Sequence, residues 1–474
     1  MIRAQPANRF REVCQKDLAV RFDGASCQNG RGAAAGAVAS CATSLYAVLY
    51  FPVVLIMSLR ATVKAGPLGS RDFRFLLGGF AIGQMLMPLQ FLTQILWVQE
   101  YAPRDIWLIL VALIGASRGL GALTFGLYGG ALADRFDRRK LLLTTQLLLV
   151  VITVLVSLLM LTNIEGWIGF LIFFSLTFLS AGLQAIDAPT RLAIVPDVLG
   201  PELTPAGMSI NQVAGQLSMP LAMFAAGFII DGFGFGYAYL LSGLGHVVAI
   251  CFLLLMRYES HVGEKRITRG RYGFMETVAD VRYGLIYARN HPVVLWVIIL
   301  LIAMMSLGFP ATASLGPTWI TTVVGVEIRD VGWVVMTWGL GSLFGALFLT
   351  WYATFERRGR MIAGGALLFS CAFVVFVYDH TVLNAVVGNL GLGAGMTITT
   401  ISSTILIQKL VPNEVRGRIM SIFQLNMGFA QVMTMPVAIL GQWLTLQVLF
   451  PVMAVTTLAV VTLILMTRRQ IIRA

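Results

Sequence analysis

Nine stretches of this chain, 75–99, 141–164, 166–186, 203–230, 232–256, 290–326, 331–355, 381–408 and 419–467, hold no Asp, Glu, Lys or Arg. A hydrocarbon layer about 30 Å thick takes about 20 apolar residues of helix. Inside it every backbone N–H and C=O must be satisfied within the segment, so uncharged runs of this length read as helices that cross a bilayer. A β-barrel would instead show alternating segments of about ten residues. Composition points the same way. Charged residues make up 12% of the chain and hydrophobic ones 58%, with a mean hydropathy of +0.83, whereas soluble domains carry about a quarter charged residues.

The fold class read from these runs is an all-α membrane protein with twelve transmembrane helices. Its spans lie after residue 70, at roughly 75–99, 106–133, 141–163, 166–190, 206–230, 234–256, 293–320, 331–353, 361–378, 382–408, 419–440 and 445–467. The one long polar connection, 257–292, carries Arg257, Lys265, Arg266, Arg269, Arg271, Arg282 and Arg289. It separates a six-helix half at 71–256 from a second at 293–474, with a leader at 1–70.

A net charge of +12 suggests a nucleic-acid partner until its placement is followed. From Arg71 onward, every Lys and Arg except Arg104, Arg118 and Arg329 falls on one side of the predicted spans. That asymmetry is the positive-inside rule, so the charge reads as topology, with both ends of the twelve-span core in the cytoplasm and no nucleic-acid partner. Cys14, Cys27 and Cys41 lie in the leader, Cys251 and Cys371 in spans, and no pair has metal-ligand spacing. No metal or cofactor is expected.

The chain repeats itself. ELTPAGMSINQ at 202–212 lies on EVRGRIMSIFQ at 414–424, a shift of 212; GLGAL at 119 matches GLGSL at 339, a shift of 220; and FDRR at 136 matches FERR at 355, a shift of 219. Three matches in near-register across six spans describe two six-helix pseudo-repeats, the parallel arrangement of transporters whose substrate sites lie between the halves.

Charge concentrates in one turn. GGALADRFDRRK, at 129–140, places Asp134, Arg135, Asp137, Arg138, Arg139 and Lys140 between spans two and three. The segment from Gly130 to Lys140 resembles the signature G-x-L-a-D-r-x-x-R-R-[KR] of the major facilitator superfamily. Finer features resemble the branch containing the enterobactin exporter and macrolide efflux proteins: Ala188-Pro189 and Arg191, Val195-Pro196, and VPNEVRGRIMS at 411–421. The resemblance covers roughly 71–467 and implies the major facilitator fold. It also implies a secondary active transporter, a proton-coupled antiporter exporting a small organic molecule such as a siderophore or drug by alternating access. An importer or facilitator of a small metabolite, or a non-transporting receptor of the same fold, remains an alternative. Its implied setting is a bacterial inner membrane, its partners a small-molecule substrate, protons and the lipid bilayer, and its state a monomer.

In that family the acid matching Asp134 meets the N-terminal end of the eleventh helix, which begins near Gly417 here and attracts it through its partial positive charge. Gly130, with Gly126, permits close helix packing. Arg138 and Arg139 are expected to bind carboxylates or helix carbonyls and close the cytoplasmic side, while Arg135 and Lys140 also suit the positive-inside rule. In the second half Ala353 or Thr354 stands where Asp134 stands, and Gly359 replaces Lys140, so a gate built on this motif is asymmetric.

Charges within spans are few. Arg118 sits near the middle of span two, where insertion scales put an Arg at roughly 2.5–3.5 kcal/mol, so it needs a cavity or a partner. It reads either as a substrate or switch contact, or as a structural ion pair with Asp187 or a donor to helix carbonyls. Asp187, near the cytoplasmic end of span four, is the candidate for proton coupling, with Glu100 and Asp231 behind it. Gln84, Gln90 and Gln94 on span one are candidates for the substrate cavity, and interhelical hydrogen bonding is their other reading. His246 reads as a satisfied interior histidine, and Trp97, Trp107 and Trp333 as interfacial belt residues.

No nucleotide loop G-x-x-x-x-G-K-[ST], no G-x-G-x-x-G and no H-E-x-x-H occurs. The chain is therefore not read as an enzyme. In the leader, 32–59 is uncharged, but spanning would place six basic residues outside, and Pro52 interrupts its centre. Met57 opens a natural short start, so 1–56 reads as dispensable or untranslated, with a cleaved signal or a thirteenth helix as the alternative.

Overall fold

Ser70 opens the first helix by accepting a hydrogen bond from the Phe73 backbone N–H at 3.3 Å, and Asp72 adds an acid to its first turn. Both features favour a helix start. The computed structural model describes residues 66–162, 166–258, 284, 286–352 and 357–473. Within its helices, the side chains of 127–131, 133–135, 216, 219, 413, 414, 416–418, 420–422, 424 and 425 lie outside the described residues. So do the leader 1–65 and most of the 257–292 connection, leaving the expectations about them there.

The described chain runs as helices α1 (Arg71–Tyr101), α2 (Trp107–Arg135), α3 (Arg138–Thr162), α4 (Trp167–Ser242) and α5 (Leu244–Leu255), then α6 (Pro292–Phe309). A π-helical turn at Pro310–Ser314 leads into α7 (Gly316–Thr322). The remainder is α8 (Ile328–Trp351), α9 (Arg358–Val377), α10 (Val382–Leu410), α11 (Asn413–Val432), α12 (Thr434–Leu444), α13 (Leu446–Thr467) and α14 (Gln470–Arg473). The protein is an all-α membrane protein.

Among the described residues, ten segments are long and apolar enough to cross a bilayer, against the twelve predicted, and the difference lies in one place. One apolar, largely helical segment runs from Trp167 to Leu255, 89 residues, which as one straight helix would measure about 134 Å. Gly200 (φ 73°, ψ 170°) and Gly234 (φ 75°, ψ 169°) break it with a conformation that costs only glycine nothing. Pro201 follows the first break directly. Three crossings predicted between 166 and 256 thus fall within one helical run divided by two single residues. The predicted seventh span, 293–320, is divided instead by the π turn at Pro310–Ser314.

The end of the molecule bearing the 129–140 turn also holds the start of α1, since Asp72 accepts from the Arg257 N–H at 3.1 Å just past the end of α5. This is the motif end. At the opposite, far end, helices preceding the 257–292 connection meet helices following it. Gly227 of α4 packs on α8, where an added Cβ would lie 2.5 Å from the Arg329 carbonyl oxygen. Nearer mid-depth, beside the cavity, a Cβ on Gly119 of α2 would lie 2.8 Å from the Gly428 carbonyl of α11. Two further contacts lie at the far end. Gln99 of α1 donates to Thr321 Oγ1 of α7 at 3.0 Å, and Gln442 of α12 donates to the Asp105 carbonyl.

Trp97 departs from its expected belt position. It is 3% exposed and packs at tilted angles against Phe170, Phe173 and Tyr101. Aromatic partners on α4 draw it into the core instead of the interface.

Candidate functional site

A cavity of about 490 Å³ lies between the two groups of helices, on the motif side of the far-end contacts. Phe80, Gln84 and Phe91 of α1, Arg118 of α2 and Gln212 of α4 form one wall; Trp338 of α8, Asn389 and Thr400 of α10 and Gln431 of α11 form the other. Apolar side chains dominate it, with polar groups spaced among them, as in small-molecule sites generally.

Arg118 is 7% exposed, and its guanidinium carbon lies 5.5 Å from the centre of the Phe91 ring. Tyr239 is close enough to interact with its charge. Among the described residues Arg118 makes neither an ion pair nor a hydrogen bond to a carbonyl. The alternative reading of Arg118 as an ion-pair partner of Asp187 is therefore set aside. Asp187 accepts from Arg191 one helical turn along, at 3.1 Å and 3.2 Å. Two residues four apart on one helix are neighbours, and that nearby partner satisfies the acid before Arg118 can.

Asp187 has two further partners on α3. Gln146 Nε2 donates to it at 2.7 Å and Thr145 Oγ1 at 3.3 Å. The other face of the same amide, Gln146 Oε1, lies 2.8 Å from His246 Nδ1. An amide oxygen only accepts, so the imidazole proton sits on Nδ1. The result is a partly buried chain, His246–Gln146–Asp187–Arg191, spanning α3, α4 and α5 inside the first group of helices.

The three span-one glutamines part company. Gln84 lies on the cavity wall. Gln90 donates to Thr153 Oγ1 at 3.3 Å, and Gln94 to Thr177 Oγ1 at 3.3 Å and Tyr239 Oη at 3.0 Å. Both are at most 3% exposed, so the expectation that they line the cavity is corrected: they bind α1 to its own bundle.

In the charged turn, Gly130, Asp134 and Arg135 lie within α2, and their side chains are outside the described residues. Asp137 caps α3, its Oδ1 accepting from the N–H groups of Arg139 at 2.9 Å and Lys140 at 3.2 Å. Arg138 donates to Asp197 at 2.7 Å and to the Ala193 carbonyl at 2.9 Å. Arg139 donates to the carbonyls of Leu253 and Leu254 at 3.0 Å and of Tyr258 at 3.4 Å, so a cation sits on the negative end of α5. Tyr258 Oη closes the set by donating to Asp197 at 2.5 Å.

Asp197 reads from sequence only as a helix-end charge, and Tyr258 and the cavity side chains Asn211, Gln212, Thr400 and Gln431 were not singled out as site residues. A signal existed for the last four, each being a polar residue inside an uncharged run.

The profile of the Major Facilitator Superfamily matches residues 80–435. The chain belongs to the Major Facilitator Superfamily. The staphyloferrin A transporter of Staphylococcus aureus is 20% identical over 74% of this chain and 86% of its own length. An uncharacterised transporter of this superfamily from Bacillus subtilis, YuxJ, is 26% identical over 51% of this chain and 58% of its own. Among solved structures, the D-xylose-proton symporter superposes with a TM-score of 0.67 at 15% identity, covering 83% of this chain and 96% of that one. The nucleoside transporter NupG gives 0.65 at 11%, covering 83% and 98%. These likenesses establish the superfamily fold. As a superfamily member the chain is a multi-pass membrane transporter and not an enzyme.

Proposed function

We propose that this protein is a secondary active exporter, exchanging inward-moving protons for a small organic molecule moving outward through one alternately exposed cavity. The observation that carries the reading is the cavity itself. It lies between the two groups of helices, and residues of α1, α2 and α4 face residues of α8, α10 and α11 across it. A solute held there touches both groups, so rocking one against the other around it exchanges access. The outward direction and the siderophore- or drug-like substrate rest on the resemblance of 188–196 and 411–421 to exporters. A transporter named for a siderophore among the relatives is in keeping with that class.

Asp187 is the proposed proton-coupling group. As a carboxylate it accepts from Gln146, Thr145 and Arg191. Protonation would remove the attraction to Arg191 and free that end of α4 to shift. In the proposed gate, Asp134 attracts the start of α11 when the motif end is closed, while Arg138 and Arg139 hold the turn to its own bundle.

The test is uptake of a candidate siderophore or macrolide into inside-out vesicles under an imposed proton gradient without ATP. Gradient-dependent uptake is expected. Uptake that persists after the gradient is collapsed would remove the coupling.

A further inference from the structure

We propose that the cavity takes an amphipathic organic anion, with a carboxylate or comparable acidic group seated on Arg118 and the apolar body among the aromatic walls. The proposal rests on the reading of this cavity as the transport site and adds the charge of its occupant.

Two structural duties would account for an arginine at this depth, and neither is met. A neighbouring acid would neutralise it, but Asp187 is engaged by Arg191, Gln146 and Thr145. Helix carbonyls would accept from it, yet no such bond occurs among the described residues. What remains is a ring face at 5.5 Å and a phenol. A cation–π contact attracts the charge but accepts none of the guanidinium's N–H donors, which in the membrane interior call for a partner. The guanidinium keeps its donors for something not in the protein.

The remaining wall makes the sign definite. No Asp or Glu lines the cavity, and Arg118 is its one charged residue among those described. Gln84, Asn211, Gln212 and Gln431 line it with no side-chain hydrogen bond among the described residues, and Thr400 Oγ1 is buried without a partner. Those groups add donors around a permanent positive charge, while Phe80, Phe91 and Trp338 supply apolar surface. An organic cation would leave Arg118 unpaired and meet like charge, and an uncharged solute would leave it unpaired. A planar guanidinium facing a carboxylate can donate two parallel bonds.

The experiment compares matched probes: 2-naphthoxyacetate, its uncharged primary amide, and sodium chloride. Each is titrated calorimetrically into the full chain in lipid nanodiscs, with empty nanodiscs as background. The acid should bind at least tenfold more tightly than the amide. Arg118→Gln should erase that preference, and Arg118→Lys should keep part of it because the charge remains. Arg118→Gln is accepted only as a monodisperse protein, and Arg118→Lys covers its failure to fold. Equal affinities for acid and amide, a preference that survives Arg118→Gln, or binding of chloride alone overturns the proposal, as does no binding of either organic probe. Acid binding without vesicle flux leaves the anion site standing and removes the transport reading instead.

Discussion

The backbones of Gly227 and Gly332 meet without room for a side chain on either. A Cβ on Gly332 would lie 2.9 Å from the Gly227 nitrogen and 2.5 Å from the Met223 carbonyl oxygen. This contact joins α4 to α8 at the far end, and alternating access requires it to part. Gly332→Leu should therefore hold the far end open. With native cysteines removed and Ser342→Cys on the cavity wall, an impermeant thiol reagent applied from the far side should label the Gly332→Leu protein several-fold faster than its parent. Equal rates would show that this contact does not close the cavity.

The link from Arg138 through Asp197 to Tyr258 holds the charged turn to the end of the first bundle. The ion pair is partly exposed, at 17% and 33% of side-chain area, so it is expected to be worth about 1 kcal/mol or less. Asp197→Asn should lower the thermal midpoint by about 1 °C, and Tyr258→Phe by less. Tryptophan-fluorescence unfolding in nanodiscs reads both, and an unchanged midpoint in Asp197→Asn would remove the link from the stability account.

Asp187→Asn keeps an acceptor for Gln146 and Thr145 but can no longer gain and lose a proton. Substrate counterflow between equal solutions should survive, whereas uptake driven by an imposed proton gradient should fall at least tenfold. An Asn protein that couples fully would leave Asp187 with a structural task only.

Asp134→Asn should insert normally and transport slowly, because it loses the proposed attraction to the start of α11. Surface abundance and flux, measured on the same cells, separate the two effects. Normal flux at normal abundance would dispose of the gate.

Orientation has its own check. A cysteine introduced at Gly263, in the 257–292 connection, should resist impermeant reagents in intact cells, while cysteines at Gly166 and Gly232 should react. Labelling at 263 from outside would invert the topology.

How far the sequence could be read follows from which signals are local. Crossings were legible because a charge-free run of bilayer length has one stable solution in lipid. The caps were not read: Ser70, Asp137 and Thr381 open α1, α3 and α10, whereas spans drawn from apolar runs alone began at 75, 141 and 382. The site was less so. Gln90 and Gln94 do share a face by their spacing of four, but a helix apolar on all sides does not say which face looks inward to its bundle and which toward the cavity. Arg118 and Asp187 looked like partners by depth, yet a competitor one turn away, Arg191, was already in reach. Asn211 and Gln212 on α4 converge with Thr400 and Gln431 on α10 and α11, nearly two hundred residues or more away in sequence, and convergence of that kind is a property of packing.

Gly200 and Gly234 join successive crossings through single residues with no intervening loop. A joint of one residue has no slack, so a tilt imposed at the motif end of 201–233 must be passed directly to the segments on either side. Those three crossings would then move as a stiff lever, with its give concentrated in two sets of backbone torsions. Lengthening either joint by a few glycines would turn the lever into a tether, leaving the cavity walls intact while uncoupling what happens at one of its ends from what happens at the other.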